Sequence, residues 1–180
     1  MLLTYQETLV EFGSRHHVRK ALTDGRIHLV SRGIYSTDPE EDSLAIVMKL
    51  YPNAIVTGQT ALYFHGLITA APERIDLATK RRGTKISNYS VRQHFVPESW
   101  LAIGVTKIAI DGIHVTVYDR ERMLLELMRS RKKMPYDLYR EAVASFRLIS
   151  DRLDIYKLQD YAAAMPRGES YLSRAIQEVF

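Results

Sequence analysis

The chain has 180 residues, 46% of them hydrophobic and 26% charged, the make-up of a globular protein with one sizeable core or a small module plus a medium one. It has no cysteine, which excludes disulfides and thiolate zinc sites and agrees with an intracellular, cytoplasmic home. The formal net charge of +4 is unevenly spread: residues 15–32 carry Arg15, Arg19, Lys20, Arg26 and Arg32 against Asp24 alone, the pattern of a local anion-binding surface.

The first residues, MLLTYQETLVEF, lack a basic lead and a small-residue cleavage site, so no secretory signal is expected. No run of about 18 apolar residues occurs, so no membrane span is expected either. Thr4 and Glu7 have the spacing of a capping box, and Tyr5, Leu9 and Phe12 then recur at helical spacing until Gly13 stops the helix. Ser14 caps a second helix at once, as in a helix-turn-helix. Val18, Ala21 and Leu22 form its inner stripe, which places His16, Lys20 and Thr23 opposite and Arg19 on the flank; Gly25 ends it. In residues 26–36, Ile27, Leu29 and Ile34 alternate with Arg26, His28 and Val30, and Gly33 marks a tight turn.

A two-stranded ribbon directly after a basic helix is the pattern of a winged helix. Ser14, Arg15, His16, Arg19, Lys20 and Thr23 then face a DNA groove, while Arg26, His28 and Arg32 meet flanking phosphates. A winged helix ordinarily has a further helix ahead of these two. The module is therefore read as a shortened one, completed by dimerisation on DNA or by packing on a second domain.

The acidic segment 38–42 is the expected hinge, giving a DNA-binding module over 1–37 and an α/β effector domain over 38–180. Residues 44–50 read as a short helix, 54–56 as a buried strand, and 57–60 as a turn into a helix over 61–65 that Gly66 stops. Strands are expected over 73–79, 89–96, 105–110 and 113–118, the last two joined by the hairpin signal Asp111-Gly112. Asp119 caps a helix reaching Met128, and Pro135 starts another over 136–146. Two more helices carry Ile155, Leu158, Ala162 and Met165, and Leu172, Ala175, Ile176 and Val179, on their inner faces. The fold class is thus α+β: a winged helix-turn-helix, then an α/β domain with a mixed sheet and a C-terminal helical bundle.

Four segments resemble the AbiEi antitoxin family, transcriptional regulators of bacterial abortive-infection loci that defend against phage. They are residues 25–35 (GRIHLVSRGIY), 55–67 (IVTGQTALYFHGL), 72–78 (PERIDLA) and 112–126 (GIHVTVYDRERMLLE), and together they span most of the chain. The resemblance implies a negatively autoregulating antitoxin of a type IV toxin–antitoxin system. It implies a winged helix on the repeats of the chain's own promoter and a larger domain opposing a nucleotidyltransferase-like toxin.

The enzyme readings are weaker. Residues 57–62 followed by 74–78 are similar to a nucleotidyltransferase, in which two carboxylates on one strand hold Mg²⁺. Here Asp76 is followed two residues on by Ala78, and one carboxylate is a poor metal site. No Glu-x-Lys or Asp-x-Lys pair of the nuclease kind occurs. His65, His94 and His114 are isolated from one another, without the spacing of four that puts two ligands on one helix face. No catalytic residue, metal or cofactor is therefore assigned. Lys80, Arg81, Arg82 and Lys85, with Arg92 nearby, form a second basic surface, read either as a partner or nucleic-acid contact or as a solvated loop. A partner-binding module with merely packed N-terminal helices and a nucleotidyltransferase-like enzyme are the alternatives to the regulator.

Overall fold

The computed structural model describes residues Met1–Phe180. The chain is an α+β protein that divides into two compact units, Met1–Asn53 and Ala54–Phe180. No helix is long and apolar enough to cross a membrane.

The first unit runs β1 (Leu2–Thr4), α1 (Tyr5–Phe12), α2 (Arg15–Thr23), β2 (His28–Ser31), β3 (Ile34–Ser36) and α3 (Ser43–Leu50). The capping box forms: Thr4 Oγ1 accepts from the Glu7 amide at 3.3 Å, and Glu7 Oε2 accepts from the Thr4 amide at 2.7 Å. A hydrogen bond from Lys49 Nζ, 2.8 Å from Glu7 Oε1, is the main reason the Glu7 carboxyl is held down to about 2. Gly13 leaves α1 in the left-handed conformation, and Ser14 Oγ accepts from the His17 amide to start α2. The strands form an antiparallel sheet in the order β1-β3-β2. Val18, Ala21 and Ile27 are the buried centre of this unit, with Leu9, Phe12, Leu22 and Tyr35 packed against them. Leu29 departs from the expected alternation. It lies on the edge strand, where the register shifts before Ser31, and is 59% exposed.

The boundary falls after Asn53, not in the acidic segment. Ser36 Oγ donates to Glu41 at 2.5 Å and accepts from the Asp38 amide at 2.9 Å, which folds that segment back on β3. Asp42 Oδ1 then caps α3 by accepting from the Leu44 and Ala45 amides. α3 packs on β1 and β3, so the small sheet has a helical cover from its own unit.

The second unit runs β4 (Ile55–Val56), α4 (Gly58–Phe64), β5 (Ile75–Lys80), β6 (Val91–Val96), α5 (Glu98–Leu101), β7 (Val105–Ile110) and β8 (Ile113–Tyr118). Four further helices follow: α6 (Arg120–Ser130), α7 (Tyr136–Leu148), α8 (Ile155–Ala164) and α9 (Gly168–Val179). The sheet order is β6-β5-β4-β8-β7, with β5–β6 and β4–β8 parallel and β4–β5 and β7–β8 antiparallel. Asp111 and Gly112 both take positive φ, 48° and 82°, as the primed two-residue hairpin turn requires.

Asp119 caps α6 through the Arg122 amide, and every residue from Glu121 to Met128 is buried, because α4, α8 and α9 all pack on this helix. In α9 the inner face is Ala175 and Val179; Ile176, expected inside, is 46% exposed.

His65, just beyond α4, sits 2.7 Å through Nε2 from the Tyr118 carbonyl, which can only accept, so Nε2 carries the proton. Burial is the main cause that lowers its pKa from the ordinary 6.5. Below that value the unfolded chain takes up a proton that the folded chain resists, so stability falls as pH drops from about 6.5. Denaturant titrations between pH 5 and 8 are expected to show this loss, and His65→Gln to flatten it.

Candidate functional site

Two places concentrate candidate functional side chains, one in each unit. In the first unit, the burial of Val18 and Ala21 turns the opposite side of α2 to solvent, so that Arg15, His16, Arg19, Lys20 and Thr23 are all exposed. Arg32 is exposed in the turn between β2 and β3, and His28 is half-buried on β2. Arg15, Arg19, Lys20 and Arg32 enter no ion pair within the chain. Arg26 lies 3.9 Å from Asp24 and stacks over the Phe12 ring at 5.6 Å. A pair that long and that exposed leaves its charge largely available.

Two of the expected contacts are partly committed elsewhere. Ser14 Oγ is the cap of α2, and the Thr23 hydroxyl donates to the Arg19 carbonyl at 3.1 Å, so its proton is not offered outward. His17 bonds back to the Phe12 carbonyl at 3.2 Å and braces the corner between α1 and α2.

In the second unit a cleft of about 640 Å³ opens between the β4–α4 junction, strands β5 and β6, and the end of α6. Asp76 lies at its base and is 1% exposed. Its Oδ1 is 2.6 Å from His94 Nε2 and 3.6 Å from Arg92, and its Oδ2 accepts from the Gln59 amide at 3.1 Å. Asp76 thereby caps α4, a duty Thr57 does not perform with its own side chain. The junction is further tied to β5 by the Thr57 amide to the Asp76 carbonyl at 2.9 Å, and by the Asp76 amide to Thr60 Oγ1, also 2.9 Å.

Arg92 does not join the basic surface of the loop 80–85. Its guanidinium lines this cleft instead, because it stands opposite Asp76 in the parallel β5–β6 register. Lys80, Arg81, Arg82 and Lys85 are exposed, and Gln93 anchors their loop through the Thr84 carbonyl and the Ile86 amide.

The opposite wall of the cleft comes from α6. Arg122 is completely buried there. Glu126 Oε1 accepts from its Nε and Nη2 at 3.2 and 2.9 Å, and the Trp100 and Ile103 carbonyls accept from Nη1. Its guanidinium also lies over the Trp100 and Tyr118 rings at 5.2 and 4.6 Å. Burial then pushes the Tyr118 hydroxyl up to about 12. Glu126 Oε2 takes Arg129, which lines the cleft with Lys133. This network escaped sequence reasoning, since an Arg and a Glu four apart on a helix read as a surface pair.

The nucleotidyltransferase reading needs two carboxylates free to hold Mg²⁺. Ala78 stands where the second is required, and both oxygens of Asp76 already serve His94 and the Gln59 amide.

Gly58 starts α4 directly against the Asp76 side chain. Its φ is +55°, and a Cβ there would stand 2.9 Å from Asp76 Cγ. Gly66→Ala meets open space at φ +70° and serves as the comparison. Gly58→Ala is expected to lower the unfolding free energy by about 1–3 kcal/mol, and clearly more than Gly66→Ala does, in denaturant titrations.

No protein-family model matches this chain, and no curated protein sequence matches it.

Proposed function

We propose that the first unit is a winged helix-turn-helix that binds duplex DNA, and that the chain is a non-catalytic transcriptional autoregulator. In this reading α2 enters the major groove and the turn between β2 and β3 is the wing. The observation that carries it is the set of exposed cations on α2 and at that turn, of which Arg15, Arg19, Lys20 and Arg32 have no carboxylate partner in the chain. Such unpartnered cations on one short helix and an adjoining ribbon suit phosphate contacts flanking a groove. The element order, with two helices between β1 and β2 and a β1-β3-β2 sheet, supports the same reading.

The resemblance of residues 25–35, 55–67, 72–78 and 112–126 to AbiEi antitoxins extends the proposal. The DNA is then the repeats of the chain's own promoter, occupied by a homodimer in the cytoplasm. The second unit, read as an α/β domain closed by a C-terminal helical bundle, opposes a nucleotidyltransferase-like toxin encoded alongside.

Binding to a promoter duplex, followed by fluorescence anisotropy at several salt concentrations, tests the DNA contact. Each phosphate contact removed flattens the logarithmic salt dependence by about 0.9, so Arg19→Ala with Lys20→Ala should flatten it by about 1.8. An unchanged slope in that double variant would contradict the assignment of α2. Absence of salt-sensitive binding by the native chain would favour a partner-binding module.

A further inference from the structure

The cleft of the second unit has a charge arrangement that neither its folding role nor the DNA reading uses. Both of its carboxylates are consumed internally: Asp76 by His94 and the Gln59 amide, and Glu126 by Arg122 and Arg129. Its cations are not consumed to the same degree. Lys133 is exposed and has no ion-pair partner, and Arg92 is 46% exposed at 3.6 Å from a carboxylate oxygen that His94 already holds at 2.6 Å. Arg122 and Arg129 share the single charge of Glu126, so that cluster keeps a positive charge of its own. His94 Nδ1 has no partner in the chain, and the bond from Nε2 to Asp76 fixes the ring that carries it.

Beside these groups the lining is apolar. Leu62 and Leu127 are buried behind the wall, and Met134 and the exposed Pro135 form its accessible apolar rim. A volume of about 640 Å³ is the scale of a single small ligand. A site with surplus cations beside an accessible apolar rim calls for an anionic group joined to an apolar one.

We propose that this cleft binds a nucleoside phosphate, with the phosphate on Arg92, Arg129 and Lys133 and the base against Met134 and Pro135 at its rim. Binding needs no divalent cation, because the one carboxylate suited to hold it, Asp76, already serves the fold. No bond is made or broken: the site is for recognition, and it makes the second unit responsive to nucleotide concentration. The inference is independent of DNA binding, and its test contains no DNA.

Trp100, the only tryptophan, lies 5.5 Å from the Arg129 guanidinium, so a ligand on Arg129 changes its surroundings and its emission. The full chain is titrated with ATP, AMP, adenosine and inorganic phosphate, with Mg²⁺ and with EDTA, following this emission and confirming by calorimetry. ATP or AMP should bind saturably and equally well in EDTA, with adenosine and phosphate each weaker by about tenfold or more. Arg92→Ala and Lys133→Glu should each weaken ATP by about tenfold or more, with melting curves unchanged. Lys107→Ala, which removes a positive charge from exposed β7, should leave affinity alone. No saturable binding, phosphate binding as tight as ATP, strict Mg²⁺ dependence, or equal losses in Lys107→Ala and Lys133→Glu would each overturn the proposal. So would tighter binding of a short RNA than of ATP.

Discussion

The inward seating of Val18 and Ala21 against Ile27 governs the direction of the cations on α2. A helix of nine residues offers few positions to a core, and these occupy the α2 stripe completely enough that Arg15, Arg19 and Lys20 have nowhere to turn but outward. Gly13 and Ser14 fix where the helix begins, and the His17 bond to the Phe12 carbonyl holds its angle to α1. The ribbon follows without slack, because the amides of Arg26 and Ile27 both return to the Ala21 carbonyl. A surface cation costs little to keep exposed, so its arrangement is free to answer to a ligand.

The second unit treats charge in the opposite way. Arg122 and Asp76 are buried, and each is stabilised only because nearly every polar atom around it is used. Arg122 finds one carboxylate, two carbonyls and two aromatic faces; Asp76 finds an imidazole and a helix-starting amide. These two networks face each other across the cleft. The first sets the roll of α6, and with it the direction of Arg129; the second holds β5, β6 and the start of α4 in register. A cleft with rigid walls and surplus positive charge is the consequence, whether or not a ligand ever enters it.

What could be read from the residues was local. Thr4 with Glu7, Ser14 and Asp119 are caps whose partners lie within three residues, and Asp111-Gly112 is a turn complete in two. The limits of β7 and β8 follow directly from that turn. β1 was not legible, because three residues cannot display an alternation. The acidic segment 38–42 looked like a hinge by composition, yet Glu41 bonds Ser36 and Asp42 starts α3. Asp76 and His94 lie 18 residues apart, and only the parallel β5–β6 register brings them together. Arg122 was hidden for a related reason: a helix packed on several sides buries positions that a single amphipathic stripe would leave in water.

On the proposed reading, duplex DNA lies on the basic face of α2 and the β2–β3 turn. Amide chemical-shift mapping of the ¹⁵N-labelled full chain against a promoter duplex tests it residue by residue. The largest perturbations are expected within residues 14–33, centred on Arg15, Arg19, Lys20 and Arg32. Perturbations confined to residues 54–180, with α2 unmoved at saturating duplex, would contradict it.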